Sequence, residues 1–322
     1  MKTKIYIMTH KQCSKPDGDI YVQLQVGSVL NKDLGYLRDD VGENISDLNP
    51  YFGELTGFYW IWKNVKDEDI VGVCHYRRFF GVNGHFITGQ ECEEMLLKSD
   101  IICSNIVETN NKSYSEDFSE AHNLNDLLLV GEAIKELYPD DVDAFDRYLM
   151  GSDFTYGNLC IMRKPIFDNY CEWLFNIFTW IMDKIEFSSY DEYHKRVFGF
   201  LSENLIRVFA KSRDLVVTPG KVYITEEKVE TRELKTAIFQ LLKERQIEKA
   251  RDIFISYLKY RPDVLLPLSD ISGELGMLAE IVNSKSDEGI NNIYKHTESL
   301  EELINFYKEG KKNDEYIDCN KS

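Results

Sequence analysis

Residues 70–78 read IVGVCHYRR, and the reading of this stretch decides the fold. Ile70 to Cys74 form a short uninterrupted run of the buried-strand type, because a strand covered on both faces shows no polar alternation. The run ends at once in His75, Tyr76, Arg77 and Arg78, a dense basic cluster just past the strand. In open α/β sheets ligands bind just beyond the carboxyl ends of the strands, so the cluster stands where a ligand is expected. Guanidinium groups form bidentate bonds to phosphate and can balance a leaving diphosphate without metal. If the strand continues, Arg77 and Arg78 point to opposite sides and one of them reaches the ligand, leaving the other to hold a carboxylate such as Glu54. His75 reads equally as a donor to the ligand or as a core histidine.

Upstream, KIYIM at 4–8 reads as a first strand ending in the polar Thr9, His10 and Lys11. YVQLQVGSVL follows from Tyr21, and then LRDDVGENIS at 37–46, almost without apolar residues, reads as an exposed hydrogen-bonding loop. Ser46 or Asp47 is placed to cap what comes next. YFGELTGFYWIWKN at 51–64 is a ring-rich helix candidate, with Leu55, Tyr59 and Trp62 at helical spacing and Glu54 as either a capping or a functional carboxylate.

Downstream, residues 91–98 read as a helix and SDIICSN at 99–105 as another buried strand. The polar stretch 109–126 has the length of a substrate lid. Helices are expected at about 125–137 and to about 149, a strand at 158–162 and a helix after Pro165. Within 191–210, Val197, Leu201, Leu205 and Val208 form a helical stripe that sets Arg196 and Glu203 on a common face. VVTPGKVYIT, ending at Thr225, closes the α/β unit. Charged helices follow, among them a hairpin of tetratricopeptide type ending at Pro262 and a frayed last dozen residues. The expected domains are 1–227, an α/β unit, and 228–322, a helical extension.

Composition narrows the function. The chain of 322 residues has 38 Lys and Arg against 55 Asp and Glu, a net charge of -17, and such a chain repels phosphate backbones, so nucleic acid is not expected as a partner. Cys13, Cys74, Cys92, Cys103, Cys160, Cys171 and Cys319 contain no CxxC pair, the pattern of reduced thiols in a cytosolic protein. The opening MKTKIYIMTHK does not fit a secretory signal. CEWLFNIFTWIM at 171–182 is interrupted by Glu172 and Asn176 and is shorter than the roughly 20 residues of a membrane span. There is no P-loop, GxGxxG, GxSxG or HExxH. Three Asp-x-Asp patterns occur, Asp17 to Asp19, Asp67 to Asp69 and Asp141 to Asp143. None follows an apolar strand, so each reads as a solvated turn and not as a metal site.

Taken with these residues, KIYIMTHK, LGYLRDDVGENISDLNPYFGELTGFYWIWKN, VGVCHYRRFF, GNLCIMRKPIFDNYCEWLF and RVFGFLSENL resemble a bacterial family of capsular and exopolysaccharide glycosyltransferases first catalogued as a domain of unknown function, number 4422. The blocks span roughly residues 2 to 210, and nothing is carried over to the C-terminal hundred. The resemblance implies a GT-A-like, Rossmann-type mixed sheet flanked by helices, with a C-terminal α-helical extension. It implies a UDP-sugar donor, with Thr9, His10 and Lys11 near the nucleotide and Asp39, Asp40 and Asn44 at the base or ribose. His75, Arg77 and Arg78 would occupy the place of the metal-binding carboxylate pair of other such enzymes, so that a divalent metal is not expected to be required. Asn158 is similar to the asparagine of a strand at the donor sugar in galactosyltransferases of this fold, and Glu203 with Asn204 to their acidic-amide pair. Asp153 and Glu203 are the candidates for general base, unless they are a loop cap and a helix-surface glutamate paired with Arg196.

The activity so implied is transfer of a hexosyl unit, galactose or galactofuranose among the options, to a lipid-linked capsular or other surface glycan. It would take place in the cytoplasm, at the inner face of the membrane. A sugar-phosphate transferase and a non-catalytic scaffold are the alternatives. Peripheral membrane contact and a homo-oligomer are left open.

Overall fold

The structure, a computed structural model, describes residues 1–108, 112–261, 264 and 269–283. The chain divides into two compact units, Met1–Thr225 and Glu226–Ser322.

The first unit opens with β1 (Thr3–Thr9), β2 (Tyr21–Gln25) and the two-residue β3 (Leu37–Arg38), then α1 (Asn49–Phe52) and α2 (Leu55–Asn64). The buried run becomes β4 (Ile70–His75), followed by the small meander β5 (Arg78–Val82) and β6 (His85–Phe86). α3 (Gly89–Met95) starts in a capping box, with Thr88 accepting from the Glu91 N–H and Glu91 reaching back. β7 (Ile101–Cys103), β8 (Ile106–Glu108), α4 (Tyr114–Ala121), α5 (Leu124–Leu137), α6 (Val142–Leu149), β9 (Asp153–Thr155) and β10 (Cys160–Arg163) come next. The long α7 (Lys164–Met182), entered through a proline in its first turn, precedes α8 (Val197–Ser202), α9 (Leu205–Ser212), β11 (Val217–Pro219) and β12 (Lys221–Ile224).

The main sheet runs β11-β7-β10-β4-β1-β2-β3. β1 pairs in parallel with β2 and β4, β2 with β3, and β7 with β11, whereas β10 is antiparallel to both neighbours. β4 is therefore central, and its side chains alternate between two cores. Val71 and Val73 face the helical layer with Tyr6 and Met8, and Ile70 and Cys74 face the β5–β6 side with Ile5 and Ile7. α2 lies directly on this sheet because Gly57 lets it: a Cβ there would stand 2.4 Å from the Met8 sulfur.

Among the described residues the second unit holds α10 (Val229–Lys243), α11 (Ile247–Tyr260) and α12 (Glu274–Asn283) around Leu234, Ile238, Phe254, Leu278 and Ile281. α10 and α11 form the expected hairpin; Pro262 and the last dozen residues lie outside the described residues.

Five local expectations are corrected. The 51–64 helix breaks at Gly53, whose φ is 55°, leaving Glu54 at the entry of α2 without a side-chain cap bond. The polar 109–126 stretch contains α4, started by a Ser113–Glu116 capping box, and residues 109–111 lie outside the described residues. The 191–210 stripe is interrupted between α8 and α9 because Asn204 turns its side chain to the Thr155 N–H, and Arg196 falls in a preceding 3-10 turn. VVTPGKVYIT is two strands, since beyond Gly220 the chain leaves β7 to pair with β5. LRDDVGENIS is not exposed throughout: Asp39 is fully buried, and Ser46 spends its hydroxyl on Asp39 instead of on a helix cap.

Candidate active site

β4 does not continue through its basic cluster. His75 and Arg78 pair across an antiparallel hairpin with Tyr76 and Arg77 at the turn, so the alternation argument for two consecutive arginines does not apply. The Tyr76 N–H donates to the Met8 carbonyl at 3.2 Å and the Thr225 N–H to the Arg77 carbonyl at 3.0 Å, which ties the turn to the end of β1 and to the start of the chain's exit from β12. Arg77 is buried, at 5 % exposure.

The same turn gathers the N-terminal triplet. The His10 ring meets Tyr76 edge-on at 5.4 Å, and the Lys11 ammonium lies 4.4 Å from the centre of the Tyr76 ring. The Thr9 hydroxyl is buried and committed locally, donating to the Lys11 carbonyl at 2.6 Å and accepting the Lys11 N–H at 3.2 Å. It therefore shapes the strand end, and His10 and Lys11 form the rim.

Facing His75 is Glu54, whose Oε1 is 4.0 Å from His75 Nε2 and accepts a 2.6 Å bond from Asn158 Nδ2. Asn158 also donates to the Gly199 carbonyl at 3.1 Å, and its own Oδ1 accepts from the Ser202 hydroxyl at 2.9 Å. The asparagine is thus fixed on three sides and fixes the glutamate. Glu203 follows Ser202 where the helix breaks, its backbone carbonyl accepting from the Thr155 hydroxyl at 2.9 Å. Gly157, at φ 77°, passes so close to Arg78 that a Cβ there would lie 3.1 Å from a guanidinium nitrogen.

The electrostatics are those of a dry, crowded centre. Burial pushes Glu203 up to about 8, and the charge of Glu54 adds to this against the pull of Arg78 and the Gly157 backbone. Glu203 is consequently protonated at neutral pH and stands there as a hydrogen-bond donor. Burial lowers His75 to about 4, with Arg78 and Arg77 acting in the same direction and Glu54 opposing, so its imidazole is neutral. His75 Nε2 and Arg78 Nε are buried without a hydrogen-bond partner among the described residues. In a native interior nearly all such atoms are paired, so these two stand out as donors left open beside Glu54 and Gly157.

The remaining expected residues are placed elsewhere. Asp39 cannot hold a ribose: its carboxylate accepts from the Gly27 and Ser28 N–H groups at 2.8 and 2.9 Å and from the Ser46 and Thr56 hydroxyls at 2.6 Å each. It anchors the turn after β2 to the first turn of α2, two residues from Glu54. Asp40 is ion-paired with Arg38 at 2.6 Å, and Asn44 closes its own loop through the Asp40 and Gly42 carbonyls. Asp153 is bound by Arg207 through both its carbonyl and its carboxylate. Among the described residues no three His, Cys, Asp or Glu side chains converge as metal ligands. Asp141 is buried and takes the Trp173 indole N–H at 2.7 Å, and Asp69 takes the Lys2 N–H at 2.7 Å. Sequence reasoning passed over Ser202 and left Glu54 open between cap and function. The missing cap bond is visible only in three dimensions.

Comparison with known proteins bears on this arrangement. The profile of a family described as "Domain of unknown function (DUF4422)" matches residues 4–214. No curated protein matches. A solved structure described as "WbbM bifunctional glycosytransferase apo structure" is similar at 28 % identity with a TM-score of 0.62, over 70 % of this chain and 46 % of that one. The chain thus spans less than half the length of this similar protein. Among the described residues no helix is long and apolar enough to cross a membrane.

Proposed function

Because the chain belongs to the DUF4422 family, and is similar over 70 % of its length to a glycosyltransferase, we propose that it transfers a glycosyl group. In this reading the donor is a nucleotide diphosphate sugar, a UDP-hexose. The acceptor is a hydroxyl of a lipid-linked surface glycan at the inner face of the membrane. The observation that carries the proposal is the hairpin at the carboxyl end of β4, which brings together the Arg78 guanidinium and the His75 imidazole, with Nε of one and Nε2 of the other buried and unpartnered among the described residues.

The chemistry follows from the charge that develops. As the bond from the anomeric carbon to the diphosphate breaks, negative charge gathers on the departing phosphate. Fixed guanidinium groups in a low-dielectric site stabilise that charge without reorganising. Arg77 and Arg78 take this role, Lys11 and His10 bound the nucleotide side, and protonated Glu203 donates to a sugar or phosphate oxygen. Most of the acceleration comes from holding donor and acceptor in line.

Calorimetric titration with UDP and a panel of UDP-hexoses, each with and without manganese, tests the reading. UDP binding that ignores the metal is the expected result. Binding only with manganese overturns the arginine-based diphosphate site, and no binding to any of these nucleotides overturns the donor assignment.

A further inference from the structure

Three carboxylates are candidates for a part in the reaction, and the structure separates them by what each is already doing. Asp153 is held by Arg207. Glu203 carries its proton at neutral pH and cannot accept another. Glu54 differs from both. It stands at the entry of a helix yet makes no cap bond, so the usual structural reason for a carboxylate in that position is missing. Its Oε1 is held by Asn158, itself fixed by Gly199 and Ser202, while no hydrogen bond engages Oε2 among the described residues. That oxygen borders Gly199, where a Cβ would lie 3.8 Å away, and the side chain is 23 % exposed. One oxygen is clamped and the other carries no hydrogen bond among the described residues: this is the arrangement of a positioned acceptor of a proton.

Building on the transferase reading above, we propose that Glu54 is the general base that deprotonates the acceptor hydroxyl, with Asn158 and Ser202 as the residues that position it. In the step, the acceptor O–H bond breaks and its proton goes to Glu54 Oε2. The oxygen forms a bond to the anomeric carbon, and the bond from that carbon to the diphosphate breaks with its electron pair leaving on the phosphate oxygen, facing Arg77 and Arg78. The proton then passes from Glu54 to solvent through its exposed edge.

Wild type, Glu54→Gln and Glu203→Gln are compared by UDP calorimetry and by UDP release from the UDP-hexose that wild type binds, over the acid to mildly alkaline range. Glutamine keeps an oxygen for Asn158, so the clamp survives while the base is lost. Expected for Glu54→Gln are UDP affinity within about threefold of wild type and turnover lower by about 10²–10⁴-fold, with the acid limb of the pH profile gone. Glu54→Asp, which retains a carboxylate, should keep the acid limb with reduced turnover, and this reads the same point should the glutamine variant fold poorly. An active wild type with Glu54→Gln turnover within about threefold of it overturns the assignment and leaves the transferase reading standing. A wild type that neither binds UDP nor releases it from any UDP-hexose overturns both.

Discussion

Arg207 reaches back across 54 residues to Asp153, donating at 2.6 Å to its backbone carbonyl and also to its carboxylate. The two contacts join α9 to β9 at the strand that also receives Asn204. Asp153→Asn should therefore keep turnover and UDP affinity within about threefold. It should cost about 0.5–1 kcal/mol of stability, since the carboxylate is half exposed and screened by water. Chemical denaturation alongside UDP release checks this, and a loss of turnover beyond tenfold at unchanged UDP affinity would return Asp153 to the chemistry.

Asp39→Ala leaves four buried donors, from Gly27, Ser28, Ser46 and Thr56, without their acceptor. The expected destabilisation is at least about 3 kcal/mol, read from the urea midpoint. A loss under about 1 kcal/mol would show that the anchor is dispensable.

Gly157→Ala combines a backbone held at φ 77° with a methyl group 3.1 Å from the Arg78 guanidinium. We expect about 1–2 kcal/mol of strain together with weaker UDP binding, because Arg78 is pushed from its place. Unchanged UDP affinity by calorimetry would separate Arg78 from the phosphate.

The pH dependence of stability carries opposite signs from two groups. His75 falls to about 4 in the folded protein from 6.5, so the unfolded chain binds more protons between these values and stability is lost as pH falls through that window. Glu203 rises to about 8 from 4.5, so here the folded protein binds more protons and stability is lost as pH rises toward 8. Above about 6.5 the histidine no longer contributes, and of the two groups only the glutamate acts. Urea denaturation at several pH values should show stability declining from near neutral to pH 8 in wild type and a flatter profile in Glu203→Gln. Equal slopes would contradict the protonated state of Glu203.

Arg78→Ala should weaken UDP binding by at least about tenfold, the order expected for losing one charge-assisted phosphate contact. Calorimetry decides, with the melting temperature as a check on folding.

What could be read in the residue order was whatever depends on neighbours in sequence. IVGVC announced a buried strand because burial on both faces leaves a local mark. The proximity of His10 and Lys11 to the basic cluster after it, made through ring contacts with Tyr76, was not legible in the residue order. Long-range pairings left no such mark. The apolar stripe from Val197 to Val208 runs on as if helical, while the bond that interrupts it is made by Asn204 to a residue 49 positions away. Asp39 sits in a polar loop by composition, yet three of its four donors come from two other segments, the turn after β2 and the first turn of α2. Glu54 was ambiguous for the same reason: only the arrival of Asn158 from β10's approach decides which oxygen is occupied.

The clamp on Glu54 also sets an order in time. Its two halves are 104 residues apart, and Asn158 in turn waits for Gly199, another 41 residues along. A growing chain from which β4 has already emerged has the basic hairpin but no partner for Glu54, since such distant closures come late in folding. The clamped geometry is then assembled as one of the last events of the first unit's maturation, and on the proposed reading a half-made polypeptide would carry the arginines before it carries a positioned base.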